Sequence, residues 1–335
     1  MLITIKDIED AHARIREYLH ETPVLTSSSF EKEFTPGKRV HFKCENFQKT
    51  GSFKARGALN SVIKLHAEQP NLSSKGVLTR SSGNFGAGLA YAASLVGLDC
   101  HVACPVSCSP FKMGSIEKYG GKIHLYPKGW ESRNSIIPRL EAELGAYTIF
   151  ASVEPASVSG HGTVALEILN QVPDVDAVIV PSGSGGLLAG ISTAMKNKNN
   201  KIKVYGVEHD TSLNLKNSFQ LGEAIQPTER RDTICDGISN TSVTPFALEH
   251  ILEYVDDIIQ VPDTGAISAL VFLLESMKIM TEPTAALAAA ALMQPEIVKK
   301  YFSECQNIVV VLTGGNFDIL KKLHLLGETQ TKISA

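Results

Sequence analysis

The sequence predicts an α/β protein built as two open lobes with mainly parallel sheets. Three observations carry this. Short apolar runs alternate with helix-period segments along the chain. Several runs end in Gly- or Ser-rich loops that open helices. The chain has 335 residues, more than one hydrophobic core usually spans. A smaller lobe is expected at residues 74–148, between the two parts of a larger lobe at 1–73 and 149–335.

Thr4 is a good N-cap for a helix from Ile5 to His20, with Ile8, Ala11, Ile15 and Leu19 on one face. Glu21-Thr22-Pro23 ends it. Arg39 to Cys44 reads as a strand, and a loop leads from it into the helix after Lys49. Strand Gly76 to Arg80, helix Asn84 to Val96, strand Cys100 to Cys104, helix Met113 to Tyr119 and strand Lys122 to Tyr126 follow. A helix from about Ser135 to Leu144 and a strand near Thr148 close this series. The second series runs from helix His161 to Asn170 through strands Ala177 to Val180 and Lys203 to Glu208, with helix Gly186 to Lys196 between them. Strands Asp257 to Val261 and Ile308 to Leu312 enclose helices Thr264 to Met277 and Pro283 to Met293.

Composition excludes several classes. A net charge of only −3 implies neither nucleic acid nor an anionic membrane as partner. The apolar run Ala285 to Leu292 is too short to span a bilayer. Six cysteines in a chain of this length make no disulfide framework, so a reducing cytoplasm is expected. Cys100, Cys104 and Cys108, with His101, match no standard zinc spacing and read as structural.

Lys49 to Leu59 reads K-T-G-S-F-K-A-R-G-A-L and puts Lys54 in the first turn of a helix, beside Phe53. The partial positive charge of a helix N-terminus disfavours an ammonium there. A neutral amine is a nucleophile toward an aldehyde. By itself the stretch is more simply a solvated lysine on an amphipathic helix. Two further stretches change that. Val178 to Leu187 runs from strand into the loop Pro181-Ser182-Gly183-Ser184-Gly185-Gly186 and then into a helix. Its glycines let N–H groups converge on one anion at a helix N-terminus. The spacing is neither G-x-G-x-x-G nor a P-loop, so a single phosphate ester is the expected guest. Arg80-Ser81-Ser82-Gly83-Asn84-Phe85-Gly86 is a second strand–loop–helix junction, whose hydroxyls and N–H groups suit a carboxylate. An amine, a monophosphate cradle and a carboxylate cradle together point to pyridoxal 5'-phosphate with a small amino-acid substrate.

On these stretches the chain resembles the fold-type II pyridoxal-phosphate enzymes, which are tryptophan-synthase-β-like, in their threonine dehydratase and serine racemase branch. The resemblance covers nearly the whole chain. It includes Ser52-Phe53-Lys54-Ala55-Arg56-Gly57, Ser81-Ser82-Gly83-Asn84, Gly162 to Glu167, Gly183 to Leu187, Asp236-Gly237-Ile238, Glu282-Pro283-Thr284 and Thr313-Gly314-Gly315-Asn316. It implies that Lys54 is the Schiff-base lysine and that Phe53 flanks the cofactor ring. Gly183, Ser184, Gly185, Gly186 and Leu187 would hold the phosphate, Asn84 the phenolic oxygen, and Thr313 would face the pyridine nitrogen. Ser81, Ser82, Gly83, Phe85, Arg133 and Asp236 would meet the substrate, with Ser82 as the second-face acid/base of a racemase. A homodimer is implied as well.

The implied reaction is β-elimination of a small hydroxy amino acid such as L-threonine or L-serine to a 2-oxo acid and ammonia. The alternatives are an amino-acid racemase, a β-hydroxyaspartate dehydratase, and a non-catalytic cofactor-binding regulatory protein. Two departures stand out. Phe85 replaces a histidine found in many relatives, which removes a polar contact and implies a preference for threonine over serine. Relatives with a divalent ion often use Glu and Asp six residues apart around a backbone oxygen. Here the candidates are Glu208, Ser212 and Asn214, one negative charge fewer, so a divalent metal is doubtful.

Overall fold

The computed structural model describes residues 2–69, 75–81, 83–127, 129–211, 214–226, 233–238 and 242–318. Its strands, in chain order, are β1 Val24–Thr26, β2 Arg39–Lys43, β3 Val77–Arg80, β4 Cys100–Pro105, β5 Lys122–Tyr126, β6 Tyr147–Thr148, β7 Ala177–Pro181, β8 Lys203–His209, β9 Asp257–Val261 and β10 Asn307–Val311. They form one six-stranded sheet, ordered β1-β2-β10-β7-β8-β9, and one four-stranded sheet, ordered β5-β4-β3-β6. β1 runs antiparallel to β2, and the other described pairings are parallel.

The central strands of the large sheet are apolar at nearly every position because both of their faces are covered. Side chains alternate across the sheet. Ala177 and Ile179 of β7, with Ile308 and Val310 of β10, pack into one core. Val178, Val180, Val309 and Val311 pack into a second core on the opposite face. The apolar run noted in the sequence lies in helix Pro283–Leu292, which is buried at every residue beneath the sheet. No described helix is long and apolar enough to cross a membrane.

Helix Lys54–Glu68 packs against both Asn84–Leu95 and Pro155–Gln171. Glycine makes the second approach possible. A Cβ on Gly160 would lie 2.7 Å from the Arg56 carbonyl, and one on Gly57 would lie 2.2 Å from the His161 ring. Arg56, two residues past Lys54, is fixed by charge. Its guanidinium donates to Glu45 twice at 2.7 Å and to Glu167 at 2.7 and 2.9 Å. Glu167 also accepts from Lys43 of β2 at 2.6 Å. This buried network ties the start of the lysine helix to the large sheet.

Several element ends differ from the sequence expectation. The first helix is α-helical only over Ile5–Ile15 and tightens into a 3₁₀ turn at Arg16–Tyr18. Helix Pro155–Gln171 begins six residues before His161, with Pro155 at its favoured first position. Helix Trp130–Leu144 starts before Ser135 and carries Pro138 inside it. Strand β1 and helices Ser28–Phe34, Pro245–Tyr254 and Pro295–Tyr301 were not expected from the sequence.

Candidate active site

The site lies where helix starts from both sheets converge. Phe53 and Lys54 follow a tight turn in which Thr50 has φ 63°. The Phe53 N–H donates to the Thr313 carbonyl at 3.1 Å, which joins this turn to the end of β10. The Lys54 Nζ stands 4.5 Å from the Phe53 ring centroid. Burial, opposed only by the charge of Glu282, pushes the Lys54 amine down to about 8. The sequence pointed to the same direction through the helix dipole; removal from water is the larger cause. Behind Phe53, His161 packs edge-on at 4.8 Å, and its Nε2 meets the Ala151 carbonyl at 3.0 Å. Burial, reinforced by Lys54, drives His161 well below its ordinary value, so it is neutral.

One chamber of about 530 Å³ joins Phe53, Lys54, Asn84, the loop from Pro181 to Leu187, and Thr313. That size suits a small cofactor. Gly185 has φ +89° and turns the chain into helix Gly186–Lys198, whose first turn has no side-chain cap. Its unsatisfied N–H groups therefore face the chamber. The Ser182 hydroxyl beside them is buried and has no partner. An uncapped helix start with an orphaned hydroxyl fits one phosphate group, so the residues present suit the cofactor that the sequence implies.

A second chamber opens from the same Lys54 and is lined by Ser81, Gly83, Phe85, Lys112 and Asp236. Phe85 is 5% exposed and packs into the core under the small sheet while also lining this chamber. Asn84, shared by both chambers, is held at each end. Its Nδ2 donates to Glu282 at 2.7 Å, and its Oδ1 accepts from Asn316 at 2.8 Å. Burial raises the Glu282 carboxyl above its usual range.

Two residues that line the site received no role from the sequence. Glu282 was visible only as part of a matched motif, because its partner Asn84 is 198 positions away. Lys112, on helix Pro110–Glu117, pairs with Asp236 at 2.8 Å across the second chamber. Its only local signal is the Ser109-Pro110 helix start. Ser82, Ser212 and the side chain of Arg133 lie outside the described residues.

Glu208, at the end of β8, is distant in role from these chambers. Its carboxylate accepts from the N–H groups of Leu215 and Lys216 at 3.0 and 2.9 Å and from Gln260 at 3.3 Å. It therefore serves the start of helix Asn214–Leu221, which Asn214 opens. Among the described residues no group of three or more His, Cys, Asp or Glu side chains is placed to hold a metal. Activity and melting temperature are expected to be nearly unchanged by a chelator. A large loss restored by Mg²⁺ or Mn²⁺ would show that Glu208 gives up these bonds to an ion.

The family profile described as pyridoxal-phosphate dependent enzyme matches residues 15–314, and the chain belongs to that family. Pyridoxal 5'-phosphate is its cofactor. The chain is 38% identical to the serine racemase of Homo sapiens over 321 residues, which covers 96% of this chain and 93% of that protein. Its structure resembles that of maize serine racemase with a TM-score of 0.92 at 34% identity, covering all of both chains. The solved threonine deaminase of T.th. matches with a TM-score of 0.86 at 33% identity, covering 94% of this chain and 99% of that one. These likenesses favour the racemase alternative over β-elimination as the main activity.

Proposed function

We propose that this protein interconverts the enantiomers of serine, with β-elimination to a 2-oxo acid and ammonia as a second outcome of the same Cα–H cleavage. The observation that carries the reading is the seat of Lys54, an amine lowered to about 8 at the junction of a phosphate-sized cradle and a carboxylate-suited loop. Pyridoxal phosphate, when bound, supplies the electron sink for charge developing at the substrate Cα. The loop Gly183 to Leu187 would hold its phosphate, Phe53 its ring, Asn84 its phenolic oxygen and Thr313 its pyridine nitrogen. A hydroxyl such as Thr313 stabilises a protonated pyridine less than a carboxylate would, so the sink is moderate. Lys54 Nζ takes or returns the Cα proton on one face. Racemisation needs a second acid/base on the other face, and Ser82 fills that role in this reading. Ser81, Gly83 and Arg133 hold the substrate carboxylate, Asp236 faces its polar groups, and Phe85 walls the side-chain end.

The lobes at 1–73 with 149–335 and at 74–148, the homodimer and the cytoplasmic setting belong to the same proposal. The racemase reading draws its support from relatives named serine racemase, and the elimination reading from threonine deaminase. The two separate in one assay. L-serine is incubated with the holoenzyme, and D-serine and the 2-oxo acid are measured together. D-serine is expected to appear. Ser82→Ala should lower its formation about 100-fold or more, the usual scale for a lost acid/base. Elimination from L-serine should fall much less. Formation of 2-oxo acid with no D-serine at any time would make the protein a lyase.

A further inference from the structure

Among the described cysteines, two thiols meet beside the substrate chamber. Cys104 lies near the end of β4, and Cys108 lies in the turn that leads to the Ser109 cap of helix Pro110–Glu117. That turn is closed by the Cys108 N–H donating to the Pro105 carbonyl at 2.8 Å. The two side chains hydrogen-bond each other. Cys104 is fully buried, and its thiol reaches the Ser81 carbonyl at 3.3 Å, the backbone of the carboxylate loop. Cys108 is 9% exposed, at the edge of the core. One turn further along the helix, Lys112 makes its ion pair with Asp236. The thiol pair thus touches both the loop suited to the substrate carboxylate and the support of a cation in the same chamber.

The two sulfurs are unequal. The hydrogen bond from Cys104, followed by the charge of Lys112, brings Cys108 down to about 7, while Cys104 is held above the usual thiol range. Burial pushes Cys44 and Cys100 up to about 12, which fits inert structural cysteines. The sequence groups Cys104 and Cys108 with that structural set, because spacing alone does not show that a turn folds one thiol onto the other.

We propose that Cys104 and Cys108 form a reversible disulfide on exposure to a peroxide, and that this modification weakens amino-acid binding. The Cys108 thiolate attacks one peroxide oxygen, giving a sulfenic acid and releasing hydroxide. The Cys104 sulfur then attacks the Cys108 sulfur, forming the S–S bond and expelling the sulfenic oxygen as water. In total, two thiols lose two electrons and two protons, and hydrogen peroxide becomes two waters. A dithiol reductant reverses the bond. The disulfide removes the S–H donor from the Ser81 carbonyl and tightens the turn before Lys112, which displaces the Lys112–Asp236 pair.

The test treats the holoenzyme with hydrogen peroxide and maps its peptides without reduction. The expected product is a Cys104–Cys108 linked peptide that dithiothreitol opens. KM for the amino acid should rise about tenfold, as for one lost charge-assisted contact, and should recover with the thiols. Cys108→Ser should keep the KM of the reduced enzyme and lose the peroxide response. Cys104→Ser should leave a sulfenic acid on Cys108 that dimedone traps. The mapping reads the disulfide whichever amino acid is turned over, so it stands apart from the serine assignment. Oxidation of other cysteines without this link, or a linked enzyme with unchanged KM, would overturn the proposal.

Discussion

Lys54→Ala is expected to abolish both D-serine formation and elimination, by at least about a thousandfold in kcat, because one residue supplies both the cofactor's amine and an acid/base. The fold should survive. Lys54 stands at the first position of its helix, and its ammonium makes no salt bridge among the described residues. Removing an amine whose charge is disfavoured by burial leaves no buried partner charge stranded apart from Glu282, whose carboxyl is already shifted toward its neutral form. Circular dichroism and melting should therefore match the wild type while turnover vanishes. Retention of more than about a tenth of the activity would move the acid/base role elsewhere.

Arg56→Ala should give the largest loss of stability. The guanidinium is 1% exposed and bonds two carboxylates, Glu45 and Glu167, that are themselves buried. Removing it leaves both without their main counter-charge, and breaking such a buried set typically costs about 3–5 kcal/mol. Arg56→Lys should recover only part of this, since one ammonium does not reproduce the paired bonds. The same network sets an acid limit. Burial alone would raise the Glu167 carboxyl, but Arg56 and then Lys43 outweigh it and hold it below its ordinary value. A carboxyl lowered in the folded state contributes fully above its unfolded value and loses that contribution as pH falls through the lowered folded one. Urea unfolding across acidic pH should show this slope in the wild type and less of it in Arg56→Ala. A change under about 1 kcal/mol for Arg56→Ala would mean that the pair behaves like an exposed one.

The parts of this site that were legible in the sequence are local. The amine beside Phe53, the glycine loop after β7 and the hydroxyl loop after β3 each declare themselves within about ten residues, because a strand end, a tight turn and a helix start must follow one another. Parallel pairing was legible from the alternation of strands and helices. The order that puts β10 between β2 and β7 was not, since it depends on contacts far apart in the chain. The same distance hid how the site is supported. Glu282 reaches back to Asn84, Lys112 forward to Asp236, and Arg56 to Glu167, 111 positions away. The metal candidates were misleading for a related reason. The sequence presents Glu208 and Asn214 as ligands at a spacing, whereas the fold uses that carboxylate to hold the backbone of the next helix.

The central claim is that Lys54 is the amine that carries the cofactor between the two chambers. Its most direct test is to load the protein with pyridoxal phosphate, fix the cofactor to the lysine that holds it with borohydride, and map the peptides. The account predicts a single modified residue, Lys54, within the peptide that contains Ser52-Phe53-Lys54-Ala55-Arg56. Modification of Lys49, Lys112 or any other lysine in its place, or none at all in protein that has taken up the cofactor, would contradict it.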